Sequence, residues 1–180
     1  MAMDLITTNT SSGAASSSFT SSIDSTYKLY IFKFYDVNPA TDAASFTFQV
    51  NATDDPGGDY DVSLITSTYF DIYHSEADGT PALEYRTAHD LAQAASFQPL
   101  TISLGNGADE SAAGELHLFN PSSTTYVKHF YGATHYYQGA DTAYSAYVGG
   151  YINDTTAIDD IQFKMASGNF DGTIKMYGVG

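Results

Sequence analysis

Few residues in this chain have the types and spacing that chemistry needs. His117, His129 and His135 fall on or beside neighbouring predicted strands and could meet at a metal, but their spacing fits no zinc-ligand motif. The alternation of His117 with Leu116 and Leu118 turns it outward, as a surface or interface histidine. There is no cysteine to act as a nucleophile, no G-x-S-x-G, and no recognisable Ser/His/Asp arrangement. The acidic pairs Asp54-Asp55, Asp109-Glu110 and Asp159-Asp160 would serve glycoside hydrolysis only if carried about 5–10 Å apart across a cleft. Adjacent acids in loops are ordinarily just solvated. The turn 54–61 sets Asp54, Asp55, Asp59 and Asp61 around Gly57-Gly58, and calcium prefers oxygen ligands on such a flexible loop. It lacks EF-hand spacing, so an exposed acidic turn is the default. No catalytic residue and no resident metal or cofactor is expected.

Binding chemistry is better represented. Tyr126, Tyr131, Tyr136, Tyr137, Tyr144, Tyr147 and Tyr151 are interspersed with Gly, Ser, Gln and Asp. Tyrosine buries apolar area while keeping a hydroxyl for a partner, which suits a protein interface or a sugar-stacking platform. Tyr126 and Tyr131 are candidate interface residues. The tip 132–141, with Tyr136, Tyr137 and Asp141, is where a glycan would sit. The plain β-propensity of tyrosine accounts for part of the enrichment.

The elements that must position these residues are strands. From residue 23 onward no three-to-four-residue apolar period is sustained, and short blocks of Thr, Tyr, Phe, Ile and Val alternate with Gly, Asp, Asn and Pro. Strands are predicted over 27–37, 45–51, 60–73, 82–88, 97–104, 114–119, 124–131, 143–152, 158–165 and 172–177, with one short helix at 87–95. About ten strands at this spacing make an antiparallel β-sandwich or barrel. Phe46, Phe48 and Val50 alternate with Ser45, Thr47 and Gln49, and Ile161, Phe163 and Met165 with Gln162 and Lys164, so each such strand should have one wet face. The first strand is different: Leu29 and Ile31 lie on one side, and Tyr30, Phe32 and Phe34 on the other. Both sides want cover, and a neighbouring subunit, the N-terminal arm or the chain's own loops could supply the second. Tyr30, Phe32 and Phe34 are therefore candidate interface residues. Residues 1–22 form a Ser/Thr-rich segment with almost nothing to bury, expected as a flexible arm preceding a domain at 23–180.

At 180 residues the chain is about one domain long, and without cysteine it cannot be stapled by disulfides. Its net charge is −15, from 21 acidic and 6 basic residues. That charge repels phosphate backbones and anionic membrane surfaces, so no nucleic-acid or membrane partner is expected. The first residues do not read as a signal peptide, and synthesis in a cytoplasm is expected.

Three stretches carry a resemblance: Ile23-Asp-Ser-Thr-Tyr27 leading to Asn38-Pro-Ala-Thr-Asp42; Leu118-Phe-Asn-Pro-Ser-Ser-Thr-Thr-Tyr-Val-Lys128; and the ending from Ile161 to Gly178. Together they resemble a family of small structural proteins of tailed bacteriophages, abundant in marine phages. The likeness runs from about residue 23 to the C-terminus and leaves out the arm. It implies a jelly-roll sandwich with a structural rather than catalytic role, made in the host cytoplasm and placed on the virion surface. The expected function is a capsid decoration or cement protein, attached through the arm and the apolar first strand to the major capsid protein. The alternative is a head-fibre or tail-fibre component that recognises a receptor or host surface glycan. Phage-surface jelly rolls commonly close in rings, so a homotrimer is expected.

Overall fold

The computed structural model describes residues 2–55, 60, 62–79 and 81–180. Twelve strands are assigned: β1 (Met3–Ala14), β2 (Ser17–Phe19), β3 (Leu29–Pro39), β4 (Phe46–Ala52), β5 (Ile65–Ser75) and β6 (Ala82–Tyr85), then β7 (Gln98–Pro99), β8 (Ala112–Phe119), β9 (Lys128–Gln138), β10 (Thr142–Ile152), β11 (Ile158–Met165) and β12 (Phe170–Val179). They form an antiparallel sandwich of two unequal sheets. The larger runs β1-β12-β3-β8-β9-β10-β5-β6 and the smaller β2-β11-β4-β7.

The alternation read from the sequence sets the core. Tyr30, Phe32 and Phe34 of β3 point inward, as do Phe46, Phe48 and Val50 of β4 and Ile161, Phe163 and Met165 of β11, all almost fully buried. Phe163 is the hub, its ring 5.4 Å from Phe32, 5.3 Å from Phe34, 5.9 Å from Phe46 and 6.2 Å from Phe19. Such edge-on and offset pairs add to the area that burial removes from water.

Four expectations are corrected. Tyr30, Phe32 and Phe34 are not interface residues, because they fill the chain's own core opposite the smaller sheet. The N-terminal segment is not a flexible arm. Met3–Ala14 pairs along β12, from Met3 opposite Val179 to Ala14 opposite Phe170, and Ser17–Phe19 pairs with β11. Counting apolar side chains missed this, because the edge of β12 offers a row of backbone donors and acceptors that a Thr-rich strand can pair. Phe19 then anchors the turn back, buried with its ring 5.4 Å from Phe32.

Strand β4 has no wet face. Gln49 lies wholly buried under the loops, its amide donating to the carbonyls of Ser63, Ala95 and Ser96. The predicted helix at 87–95 is a series of turns, fixed where Asp90 accepts from the Tyr69 amide at 2.7 Å and Ala94 bridges to Ile65. Gly172 is a bulge inside β12, φ +143°.

Candidate functional site

The smaller sheet covers only part of the larger one. The inner face at the β5-β6-β10 end is closed instead by the loop after β6, and a polar cluster lies there. Asp71 continues the inward register of Ile65, Ser67 and Tyr69, and is fully buried. Arg86, the chain's single arginine, donates from Nε to both Asp71 carboxylate oxygens at 3.0 Å and forms an ion pair through Nη1 with Glu84 at 2.6 Å. Tyr73 donates to Glu84 at 2.8 Å and stacks on Tyr144 at 4.9 Å, and Tyr144 stacks on Tyr136 at 5.5 Å. Burial pushes the Arg86 guanidinium down, but its bonds to Asp71 and the charges of Asp71 and Glu84 outweigh this and raise its pKa. This is a locked structural network. Sequence reading missed it, although a sole arginine and an acid in an apolar register were both visible.

Tyr136 is not available to a glycan. It is buried, with its hydroxyl accepting from the Ile102 amide at 3.1 Å, and burial raises its pKa. Tyr137 and Asp141 do meet at the exposed β9–β10 tip, 3.0 Å apart, and the hydrogen bond to Asp141 raises the Tyr137 pKa. The tyrosine hydroxyl is thereby committed to its own hairpin.

The histidines do not converge. His117 stacks on Tyr131 at 4.4 Å and contacts Glu115 at 2.7 Å, His129 lies 6.3 Å from the Tyr151 ring, and His135 reaches Ser145 at 3.0 Å. Among the described residues His135 donates no hydrogen bond to a carboxylate, so this Ser–His contact has no orienting acid. Glu115 is held below the usual carboxylate range: burial works against this, and the bonds and charges of His117 and Lys33 outweigh it.

Of the acidic turn, Asp54 and Asp55 join Asp154, with ligand atoms all within 4.8 Å; Asp59 and Asp61 lie outside the described residues. One oxygen of each is engaged within the chain. Asp55 accepts from the Ala52 amide and Ser63, Asp54 from Thr156, and Asp154 from the Thr156 amide. Beside them the fully buried Lys128 ammonium donates to the carbonyls of Asp154 and Thr156. Burial pulls the Lys128 pKa down, while Asp154 and Asp54 push it back up. The lysine supplies the positive charge that this corner calls for.

The remaining feature is the outer face of the larger sheet. Cross-strand register puts Tyr85 and Leu83 of β6, Phe70 and Ile72 of β5, and Tyr147 and Ser145 of β10 side by side. Farther along lie Tyr131 and His117. Phe70, Ile72, Leu83, Tyr85, Tyr131 and Tyr147 are 40–68 % exposed. Of the predicted interface residues, Tyr131 belongs to this face, while Tyr126 projects from the β8–β9 loop at 70 % exposure. The signal was readable in Phe70/Ile72 and Leu83/Tyr85, which alternate against an inward set on the same strands.

The class that this fold defines is the antiparallel two-sheet β-sandwich. No protein-family model matches the chain, and no curated protein matches it.

Proposed function

We propose that the chain is a non-enzymatic structural protein that works by assembly, with the outer face of its larger sheet as the attachment surface. The observation that supports this is six large apolar side chains left 40–68 % exposed on adjoining strands of a protein that carries −15 net charge. Monomers rarely leave so much contiguous apolar surface in water. In the role that the sequence resemblance implies, the domain is a jelly-roll protein of a tailed-phage virion surface, decorating the capsid shell or forming part of a head or tail fibre. Attachment then rests on this aromatic face rather than on the N-terminal segment and β3.

The test is a cryo-EM map of the parent particle together with mass spectrometry of purified virions. The chain is expected as a stoichiometric virion component with Phe70 and Tyr147 buried in a contact. Its absence from purified particles would overturn the assignment.

A further inference from the structure

The outer aromatic face is shaped as well as apolar. Phe70 and Tyr147, opposite one another on β5 and β10, stack at 5.2 Å with their planes 16° apart and form a ridge. Two residues along the same strands, Ile72 and Ser145 are again opposite one another, about 7 Å away at strand spacing. There the surface falls into a hollow of about 480 Å³, lined by Ile72, Pro81, Leu83, His135, Ala143 and Ser145 among others. A ridge and a hollow therefore lie next to each other on one patch.

We infer that the occupant of this face is a second copy of the same chain, paired about a twofold axis so that each Phe70–Tyr147 ridge enters the other copy's hollow. The inference rests on the attachment surface proposed above and names its partner. Three observations carry it.

The first is charge. The chain holds 21 acidic residues, yet among the described residues no carboxylate lines the hollow. Two acids at the rim are engaged, Asp78 with His74 at 3.3 Å and Asp90 with the Tyr85 hydroxyl at 2.5 Å. Two copies of a −15 protein repel over most of their surfaces, and an uncharged island is where they can approach.

The second is area. Six large side chains, each 40–68 % exposed, present roughly 500–600 Å² at about 200 Å² per side chain. That is most of the roughly 800 Å² per partner that a standard interface buries.

The third is chemistry. Saccharide sites pair a stacking ring with side chains that bind hydroxyls in fixed geometry, such as carboxylates, amides or guanidinium groups. Among the described residues the hollow offers Ser145, His74 and His135 as polar side chains besides Tyr73, whose hydroxyl is spent on Glu84. Protein side chains suit it better than sugar. A ridge and hollow on one patch complement themselves, so the contact is isologous and closes at two copies; the trimer expected from the sequence would need two different surfaces.

Native mass spectrometry and sedimentation velocity of the full chain, from micromolar to near-millimolar concentration, test this. A dimer is expected. Leu83→Asp and Phe70→Asp should each weaken it at least about a hundredfold, because the twofold would bury two unpaired carboxylates. Both residues are exposed, so far-UV circular dichroism and the melting temperature should stay near those of the wild type. Tyr126→Asp, at an equally exposed aromatic outside the patch, should leave the dimer intact. A wild-type monomer at the highest concentration, a trimer, or a dimer indifferent to both patch variants overturns the inference. A monomer that is nonetheless found in virions sinks the pairing and spares the proposed function. A dimer absent from every virion does the reverse.

Discussion

Arg86 grips Asp71 with one nitrogen: Nε lies 3.0 Å from both carboxylate oxygens of a side chain that is wholly buried. An ion pair in that setting need not add stability over a well-packed apolar pair, but breaking it leaves one charge stranded. Arg86→Ala should cost about 3 kcal/mol or more, and the double variant Asp71→Leu/Arg86→Met less than the two single variants together. Urea unfolding of the four proteins gives the comparison, and an Arg86→Ala variant as stable as the wild type would refute the locked-network reading.

Asp160 points the other way. Burial, and then the neighbouring Asp159 charge, raise its pKa above the ordinary 3.8, so the folded state holds this proton more tightly than the unfolded chain. Its contribution to stability is fully present below about pH 3.8 and is lost as pH rises through the folded value. At neutral pH the ionised side chain is a cost. Asn51, opposite in register, has a buried Oδ1 without a partner that an amide could serve. Asp160→Asn should therefore stabilise at pH 7, by only about a few tenths of a kcal/mol because solvent screens this half-buried site. Melting temperatures at pH 7 and pH 4 are the check, with the gain expected to shrink toward the lower pH.

The N-terminal strand and its anchor should separate in truncation. Deleting residues 1–14 removes β1, whose side chains are mostly solvent-facing with Ile6 alone packed on the core. The remainder should fold, with some loss of stability and a greater tendency to aggregate through the bared edge of β12. Phe19→Ala, by contrast, empties a site in the aromatic core and should cost about 3–5 kcal/mol. Circular dichroism melts and light scattering distinguish the two, and a truncated chain that fails to fold would show that β1 carries more than a ladder.

Gly150 permits a close approach that no other residue allows. A Cβ there would sit 2.4 Å from the Thr66 carbonyl oxygen and 2.9 Å from the Phe130 ring. Because the nearest atom is backbone, Gly150→Ala must push β10 away from β5, and a loss of about 2 kcal/mol or more is expected in denaturant unfolding. Full tolerance would mean that the β5–β10 pairing is looser than its register.

The strand at 158–165 was legible to the residue, because Ile161, Phe163 and Met165 alternate against polar neighbours after the irregularity at its start. Period-two alternation is the direct imprint of one buried face. Where burial is not the cause of a strand, the imprint is missing: β1 is a strand because β12 needs a partner, and nothing in Thr7-Thr8-Asn9-Thr10 records that need. Three of the five predicted interface residues failed for a related reason. Tyr30, Phe32 and Phe34 announce burial without saying whether the cover is the same chain or another. The outer face was readable as an alternation of Phe70 and Ile72 against Tyr69 and Asp71, but both sets carry large apolar or aromatic side chains, and the pattern alone does not say which of them the fold covers.

Because Met3 lies across from Val179 in the outermost pair of strands, anything joined to either end of the domain emerges at the same corner. Tension between the two ends would load the β1–β12 hydrogen bonds in series from that corner, opening them one after another like a zipper. Shear across the sheet, which would strain all of them together, is never engaged. Under load the domain would yield first at β1, at low force, while β3, β8 and the aromatic core stay intact. The same closeness makes the domain easy to insert into a loop of another protein or to permute circularly through a short linker.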